Sequence, residues 1–309
     1  MIFIEGKDIK DIEPCTATIG CFDGVHKGHR FLISQVCRTA SALQQKSAII
    51  TFPIHPRQVM QSDYKPKLLS CTEQKKGLIR CINVDYCIIM PFTKELSRFT
   101  AYEFMQLLHD KYNVQTLVIG YDHRFGHNRT ETFEDYCRHG QNIGIKVVKA
   151  EPLKDETCDI FISSSVIRRS LIEGDVKTAN KYLGYKYYID GIVTGGYKVG
   201  RTIGFPTANI SPSCQDKLIP ATGVYAVRTI VDGKLYKGML NIGCRPTVNN
   251  GSNISIEVHI IGFSDDIYNH RIRIEFIERI RPEIKFASME ELIGQLEKDK
   301  IIISKIEEL

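Results

Sequence analysis

Much is missing from this sequence of 309 residues, and each absence excludes something. No apolar run approaches the length needed to cross a bilayer, which argues against a helical membrane protein. The opening stretch MIFIEGKDIKDIE is charged within five residues, unlike a secretory signal, so a cytoplasmic location is expected. The ten cysteines, at 15, 21, 37, 71, 81, 87, 137, 158, 214 and 244, form no CxxC pair. Neither a zinc site nor a disulfide framework emerges from that spacing, and reduced thiols are expected. There is no internal repeat, no low-complexity linker and no dense basic tail. The net charge of +5 is mild, and no basic stripe is interleaved with aromatics. The partners expected are therefore small anionic molecules, with no nucleic acid, no membrane, and a monomer or weak homo-oligomer.

What is present is ordinary for a globular chain: 43% hydrophobic and 25% charged residues, over a length natural for two domains. From 16 to 150, short apolar runs (TATIG 16–20, SAIITF 47–52, DYCIIM 85–90, TLVIG 116–120, IKVVKA 145–150) alternate with helical spacing over 29–44, 72–83, 100–112 and 131–142. That alternation predicts a parallel sheet covered on both faces, with its site at the carboxyl ends of the strands. After 183 the chain becomes rich in β-branched and aromatic residues (186–193, 223–243, 255–261, 271–280), which predicts a small antiparallel barrel or sandwich. The final stretch reads as an amphipathic helix capped by Ser288. The expected division is 1–183 and 184–309.

Two stretches carry chemistry. In TATIGCFDGVHKGHR (16–30), Gly20, Gly24 and Gly28 permit a sharp turn and close approach to a ligand, and a helix starting near His29 would aim its N-terminal dipole at that loop. His26 and His29 at i and i+3 suit phosphate oxygens. A metal site with Cys21 and an incidental pair at a helix start are the competing readings. In GGYKVGRTIGFPTANI (195–210), the spacing is wrong for a dinucleotide fingerprint and there is no Walker loop. Glycines 195, 196, 200 and 204 followed by Thr207 and Asn209 fit either a phosphate loop with two oxygen ligands for Mg²⁺ or a flexible hairpin before an ordinary strand. Alternation in SIEVHII puts Glu257 and His259 on one face of a strand and Ile256 and Val258 on the other.

GCFDGVHKGH, followed in order by TFPIHP (51–56), GYDHRFGHNR (120–129) and ISSSVIRRSLIEGDV (162–176), resembles the nucleotidyltransferase domain of bacterial bifunctional riboflavin kinase/FMN adenylyltransferases. The later pattern GxVxxGxxxGRxxGFPTAN, then GVYAV, NIGCRPTV, EVH and DDIYNHRIRIEFIERIRPEIKF (265–286), resembles their riboflavin kinase domain. The resemblance implies a Rossmann-like HxGH nucleotidyltransferase domain followed by a β-barrel kinase domain with a C-terminal helix. The substrates and products it implies are riboflavin, FMN, FAD and ATP, with Mg²⁺. Carried over residue by residue, Gly20, Phe22, Asp23, Gly24, His26, Gly28, His29, Ser164, Ser165 and Arg168 would contact ATP, with His26, His29 and Arg168 catalytic. His55, Asp122 and Arg124 would sit near FMN or ATP, against a plain salt bridge for the last two and a rigid-loop role for the first. Gly196, Gly200, Arg201, Gly204, Pro206, Thr207, Asn209 and Arg281 would hold ATP and flavin in the kinase domain, against a plain surface charge for the last. Thr207 and Asn209 would ligate Mg²⁺, and Glu257 would serve as general base. Departures are Ser165 for threonine, His123 for phenylalanine, Thr132 near a usual glycine, Gly195 for histidine and Asn269 for glycine.

Overall fold

The computed structural model describes residues 1–5, 12–60, 66–127, 129–195, 199–245 and 253–307. They divide into two compact units, Met1–Ser164 and Ser165–Leu309.

The first unit is a six-stranded, all-parallel sheet in the order β1-β4-β3-β2-β5-β6. Its strands are β1 (Ile2–Glu5), β2 (Cys15–Ile19), β3 (Lys46–Thr51), β4 (Tyr86–Ile89), β5 (Val114–Ile119) and β6 (Lys146–Lys149). Between them run α1 (Lys27–Ala42), α2 (Pro56–Met60), α3 (Thr72–Arg80), α4 (Ala101–Tyr112) and α5 (Phe133–Ile143), and a short hairpin, β7 (Lys154–Asp155) and β8 (Ile160–Phe161), follows β6. The near-continuous apolar strands are explained by cover on both faces. Ala48 and Ile50 of β3 pack with Met105 and Leu108 of α4, whereas Ile49 between them packs with Ile33 of α1 and Ile79 of α3. Local signals end the helices: Thr100 and Glu103 form a capping box on α4, and Gly144 closes α5 at φ +96°.

The second unit takes up α6 (Ser164–Glu173) from its second residue, continues through α7 (Val176–Leu183), β9 (Tyr188–Thr194), α8 (Val199–Thr202), β10 (Ala208–Pro212), β11 (Gly223–Val231), β12 (Lys234–Arg245), β13 (Asn253–Ile260) and β14 (Arg271–Arg281), and ends with α9 (Met289–Ser304). The six strands close into an antiparallel barrel, β10-β13-β12-β11-β14-β9, with β9 hydrogen-bonded to β10. Barrel, not sandwich, is therefore the outcome. Tyr225, Leu240 and Val258, neighbours across three strands, are fully buried. Ser288 caps α9 as expected, accepting from the Glu291 N–H. Ile303 of α9 packs on Val224, Ala226 and Met239 of the barrel. Asn180 of α7 ties that helix to the barrel, donating to the Phe276 carbonyl at 2.8 Å and accepting from the Tyr187 N–H at 2.6 Å. Asn269 takes φ +64°, the left-handed turn its place after Tyr268 suggests. Eight of the ten cysteines are thiols; Cys71 and Cys214 are the exceptions to the all-thiol expectation.

Candidate active sites

In the first unit, β2 lies between β3 and β5, the point where strand order reverses and where open α/β sheets bind ligands. The loop leaving β2 turns through three left-handed residues, Phe22 (φ +47°), Gly24 (φ +79°) and Val25 (φ +38°). For Phe22 and Val25 this conformation is strained, and it is held by packing: both side chains are buried against Ile33 and Ile49. Asp23 is an anchor. Its carboxylate accepts from the N–H groups of Leu69 (3.0 Å) and Ser70 (2.8 Å) and from the Ser70 hydroxyl (3.2 Å), while the Gly24 N–H donates to Ser70 Oγ (2.8 Å).

His26, buried, is the N-cap of α1: its Nδ1 accepts from the His29 N–H at 3.2 Å. A neutral imidazole that accepts at Nδ1 carries its proton on Nε2. The two imidazoles stack with centroids 3.6 Å apart, and the Phe22 ring meets His29 edge-on at 5.1 Å. Phe22 therefore supports His29 from within the core. A Cβ on Gly28 would lie 2.6 Å from the Ile162 carbonyl and 3.1 Å from the His26 ring, so only glycine fits there. Ser164 donates to the Asp23 carbonyl at 3.1 Å, bridging 141 residues. The start of the SSSVIRR motif thus lies against the HKGH loop. Ser165 and Arg168 follow on α6, in the second compact unit.

Beside this loop, a cavity of about 460 Å³ is lined by Phe52, Phe92, Phe99, Phe104 and Phe125, with Arg124 among its polar groups. Tyr136 of α5 pins the DHRFG segment: its hydroxyl accepts from the Phe125 N–H and donates to the Phe125 carbonyl, both at 3.0 Å. Asp122 and Arg124 are exposed and line a neighbouring cavity of about 360 Å³, and no ion pair joins them among the described residues. His123 lines both cavities; its Nε2 is shut off from solvent with no hydrogen-bond partner among the described residues, and burial pushes its pKa down to about 4. His55 accepts at Nδ1 from the Arg57 N–H (3.2 Å) ahead of α2, a loop-stiffening contact. Thr132 caps α5 in a box with Asp135.

The sequence also gives no sign of Lys75. Lys75 of α3 is buried, and its ammonium donates to the carbonyls of Phe52 (2.6 Å) and Cys21 (3.1 Å) and to Thr51 Oγ1 (3.3 Å). It ties the loop after β2 to the end of β3, and burial lowers its pKa. Nothing in TEQKKGLIR distinguishes it from its half-buried neighbour Lys76.

In the second unit, ladder register places Glu257 opposite Asn209 on one side and Asn241 on the other. Thr207 Oγ1 donates to Glu257 Oε2 at 3.5 Å. Three oxygen-bearing side chains predicted from sequence thus meet on one barrel face, with Asn241 added by the structure. Thr207, Pro206 and Arg201 line a cavity of about 430 Å³ together with Val258 and the Phe263–Tyr268 segment. The preceding loop folds back on itself: the Phe205 N–H donates to the Gly200 carbonyl (2.8 Å), and a Cβ on Gly200 would lie 2.2 Å from the Phe205 carbonyl. Gly204 takes φ +80°. Gly196 falls outside the described residues. Arg281 turns away from this group to Asp299 of α9, which is fully buried; its Nε and Nη2 each lie 2.9 Å from Asp299 Oδ2. That pairing gives Arg281 a structural place that the sequence motif does not reveal.

Comparison with known proteins follows the same division. The FAD synthetase family profile matches residues 8–166 and the riboflavin kinase profile residues 183–306. The bifunctional riboflavin kinase/FMN adenylyltransferase of Listeria monocytogenes is 36% identical over 284 residues, covering 91% of this chain and 89% of its own. That of Bacillus subtilis is 38% identical over 288 residues, with the same coverage. A crystal structure titled macrolide-efflux protein, from Streptococcus pneumoniae, superposes with a TM-score of 0.88 at 30% identity over 99% of both chains. Among the described residues here no helix is long and apolar enough to cross a membrane. From both profiles and from full-length relatives, the chain belongs to the bifunctional riboflavin kinase/FMN adenylyltransferase family.

Proposed function

We propose that this chain makes FAD from riboflavin in two steps, in the cytoplasm and with small-molecule partners alone. Residues 184–309 form the kinase and 1–183 the adenylyltransferase, α6 belonging to the latter by its motif. The observation that carries the reading is the meeting of Thr207, Asn209 and Glu257 on one barrel face, together with the HKGH loop at the strand-order reversal of a separate sheet.

In the kinase step, Glu257 accepts the proton of the ribityl 5′-hydroxyl as that oxygen attacks the γ-phosphorus of ATP, giving FMN and ADP. The hydroxyl of Thr207 and the amide oxygen of Asn209 would hold Mg²⁺; beside the Glu257 carboxylate they form an all-oxygen donor set, the chemistry this ion prefers. When bound, Mg²⁺ neutralises charge on the transferring phosphoryl group. The loop from Gly200 to Pro206 supplies backbone donors to the phosphates, and Arg201 adds charge at the cavity rim.

In the adenylyl step, a phosphate oxygen of FMN attacks the α-phosphorus of a second ATP, and pyrophosphate leaves. His26 and His29 donate to the oxygens where charge develops, the proton of His26 standing on Nε2 because Nδ1 is engaged. Ser164, Ser165 and Arg168 take the departing β- and γ-phosphates, the guanidinium supplying a charged fork. The phenylalanine-lined cavity takes the flavin ring, with Arg124 in its wall and Asp122 in the cavity beside it.

The test is to incubate the pure chain with riboflavin, ATP and Mg²⁺ and to resolve the flavins. FMN followed by FAD is expected. FMN without FAD would sink the N-terminal assignment, and no FMN the C-terminal one. Glu257→Ala should abolish FMN formation yet leave FMN-to-FAD conversion intact; survival of both steps would remove Glu257 as the base.

A further inference from the structure

We propose that His259 is the positioning residue of the phosphoryl-transfer site, holding the Pro206–Thr207 segment at a set distance from Glu257; the proposal rests on the kinase reading above. His259 stands two residues beyond Glu257 on β13, on the same side of the strand. It is buried, 7% exposed. Its Nδ1 lies 2.8 Å from the Pro206 carbonyl and its ring meets the Phe205 ring edge-on at 5.3 Å. A carbonyl only accepts, so Nδ1 is the protonated nitrogen and the bond runs from imidazole to loop.

The consequence is geometric. Proline has no N–H, so Pro206 can be tied down only through its carbonyl or its ring. The next residue is Thr207, whose hydroxyl reaches Glu257 at 3.5 Å. Upstream, Phe205 is closed onto Gly200; downstream, the ladder with β13 begins at Ala208 opposite Val258. Between these two ties, His259 and Glu257 of β13 hold residues 206 and 207. The strand that bears the base therefore also grips the loop that faces it, and the two keep their spacing as one body. Loss of that grip misplaces Thr207 relative to the reacting atoms, an error to which rates are steeply sensitive.

The test compares His259→Ala, His259→Asn and His259→Gln in the full chain. Asparagine places an amide donor where Nδ1 stands, whereas glutamine places it near Nε2. Both activities are read on each preparation: FMN-to-FAD conversion reports the amount of chain, and quenching of riboflavin fluorescence reports that the barrel has folded. Expected are a kcat for riboflavin phosphorylation lowered about tenfold or more in the alanine and glutamine variants, recovery to within about threefold in asparagine, and FAD formation changed less than about twofold throughout. The KM for riboflavin and the quenching of its fluorescence on binding should hold steady, since the loop faces the phosphates. A kinase rate in His259→Ala within about threefold of wild type, or a folded His259→Asn as slow as alanine, would overturn the proposal. If His259→Ala fails to fold, the pair decides: equal rates for His259→Asn and His259→Gln overturn it. A wild-type chain that forms no FMN would instead defeat the kinase reading itself.

Discussion

Replacing Gly28 by alanine should cripple adenylyl transfer while leaving the kinase untouched. The added methyl would stand 2.6 Å from the Ile162 carbonyl oxygen and 3.1 Å from Cε1 and Nδ1 of His26. An ordinary carbon–oxygen contact begins near about 3.3 Å, so one wall must retreat by about 0.7 Å. Neither wall is a flexible side-chain end: one is backbone, the other a buried ring whose Nδ1 caps α1. Overpacking of this kind costs about 1–3 kcal/mol, and the better helix propensity of alanine returns about 1 kcal/mol of it. Net stability thus changes little, by about 0–2 kcal/mol, but the His26–His29 stack and the Ile162–Ser164 segment part by a good fraction of an ångström. Misplacement on that scale costs about 10²-fold in rate. The assay is FAD formation from FMN and ATP by the Gly28→Ala chain, with riboflavin phosphorylation on the same preparation as the control. A variant that still makes FAD within about threefold of wild type would show that the loop does not need its observed spacing.

Two further substitutions separate structural from ligand roles. His123→Phe should change the acid limb of stability. Burial holds the folded imidazole near a pKa of about 4, below the ordinary 6.5, so the unfolded chain takes up its proton first as pH falls. Wild type therefore loses up to about 3 kcal/mol between pH 6.5 and 4 that the phenylalanine variant keeps. Urea melts of both chains across that window measure the difference, and parallel curves would remove the effect. Arg281→Leu should destabilise the barrel by about 3–5 kcal/mol, because it strands the buried Asp299 carboxylate. Chemical denaturation checks this, and an unchanged midpoint with a raised KM for ATP or flavin would return Arg281 to a ligand role.

The parts of the fold legible in the sequence are those dictated by local rules. Strands β2 to β6 announce themselves as short apolar runs because both faces of the sheet are covered. The edge strand β1 is hidden, being half-exposed within a charged opening stretch, and two-residue strands such as β7 and β8 leave no periodicity to read. β10 is masked by its Pro212 end and a mixed burial pattern. In the sites the same divide holds. Gly28 and Gly200 could be singled out because sterics alone demand glycine where backbones touch. Lys75, Asp23 as an anchor, Tyr136 and the Arg281–Asp299 pair could not, since each depends on segments distant in sequence. An aspartate in an amphipathic helix reads as a solvent-facing residue until the barrel is seen beneath it.

The closed barrel has a consequence for the Glu257 carboxylate it carries. β13 is hydrogen-bonded on both sides, to β10 and to β12, and the ring those strands belong to has no free edge. A one-residue slip of β13 would exchange Glu257 and Val258 between faces, burying a carboxylate and exposing a core residue. The next permitted setting lies two residues away, about 7 Å along the strand. Glu257 therefore cannot drift by small steps towards or away from Asn209 and Asn241: its height on the barrel is counted out in whole pairs of residues, as a ratchet tooth is, and only side-chain rotation is left for fine adjustment.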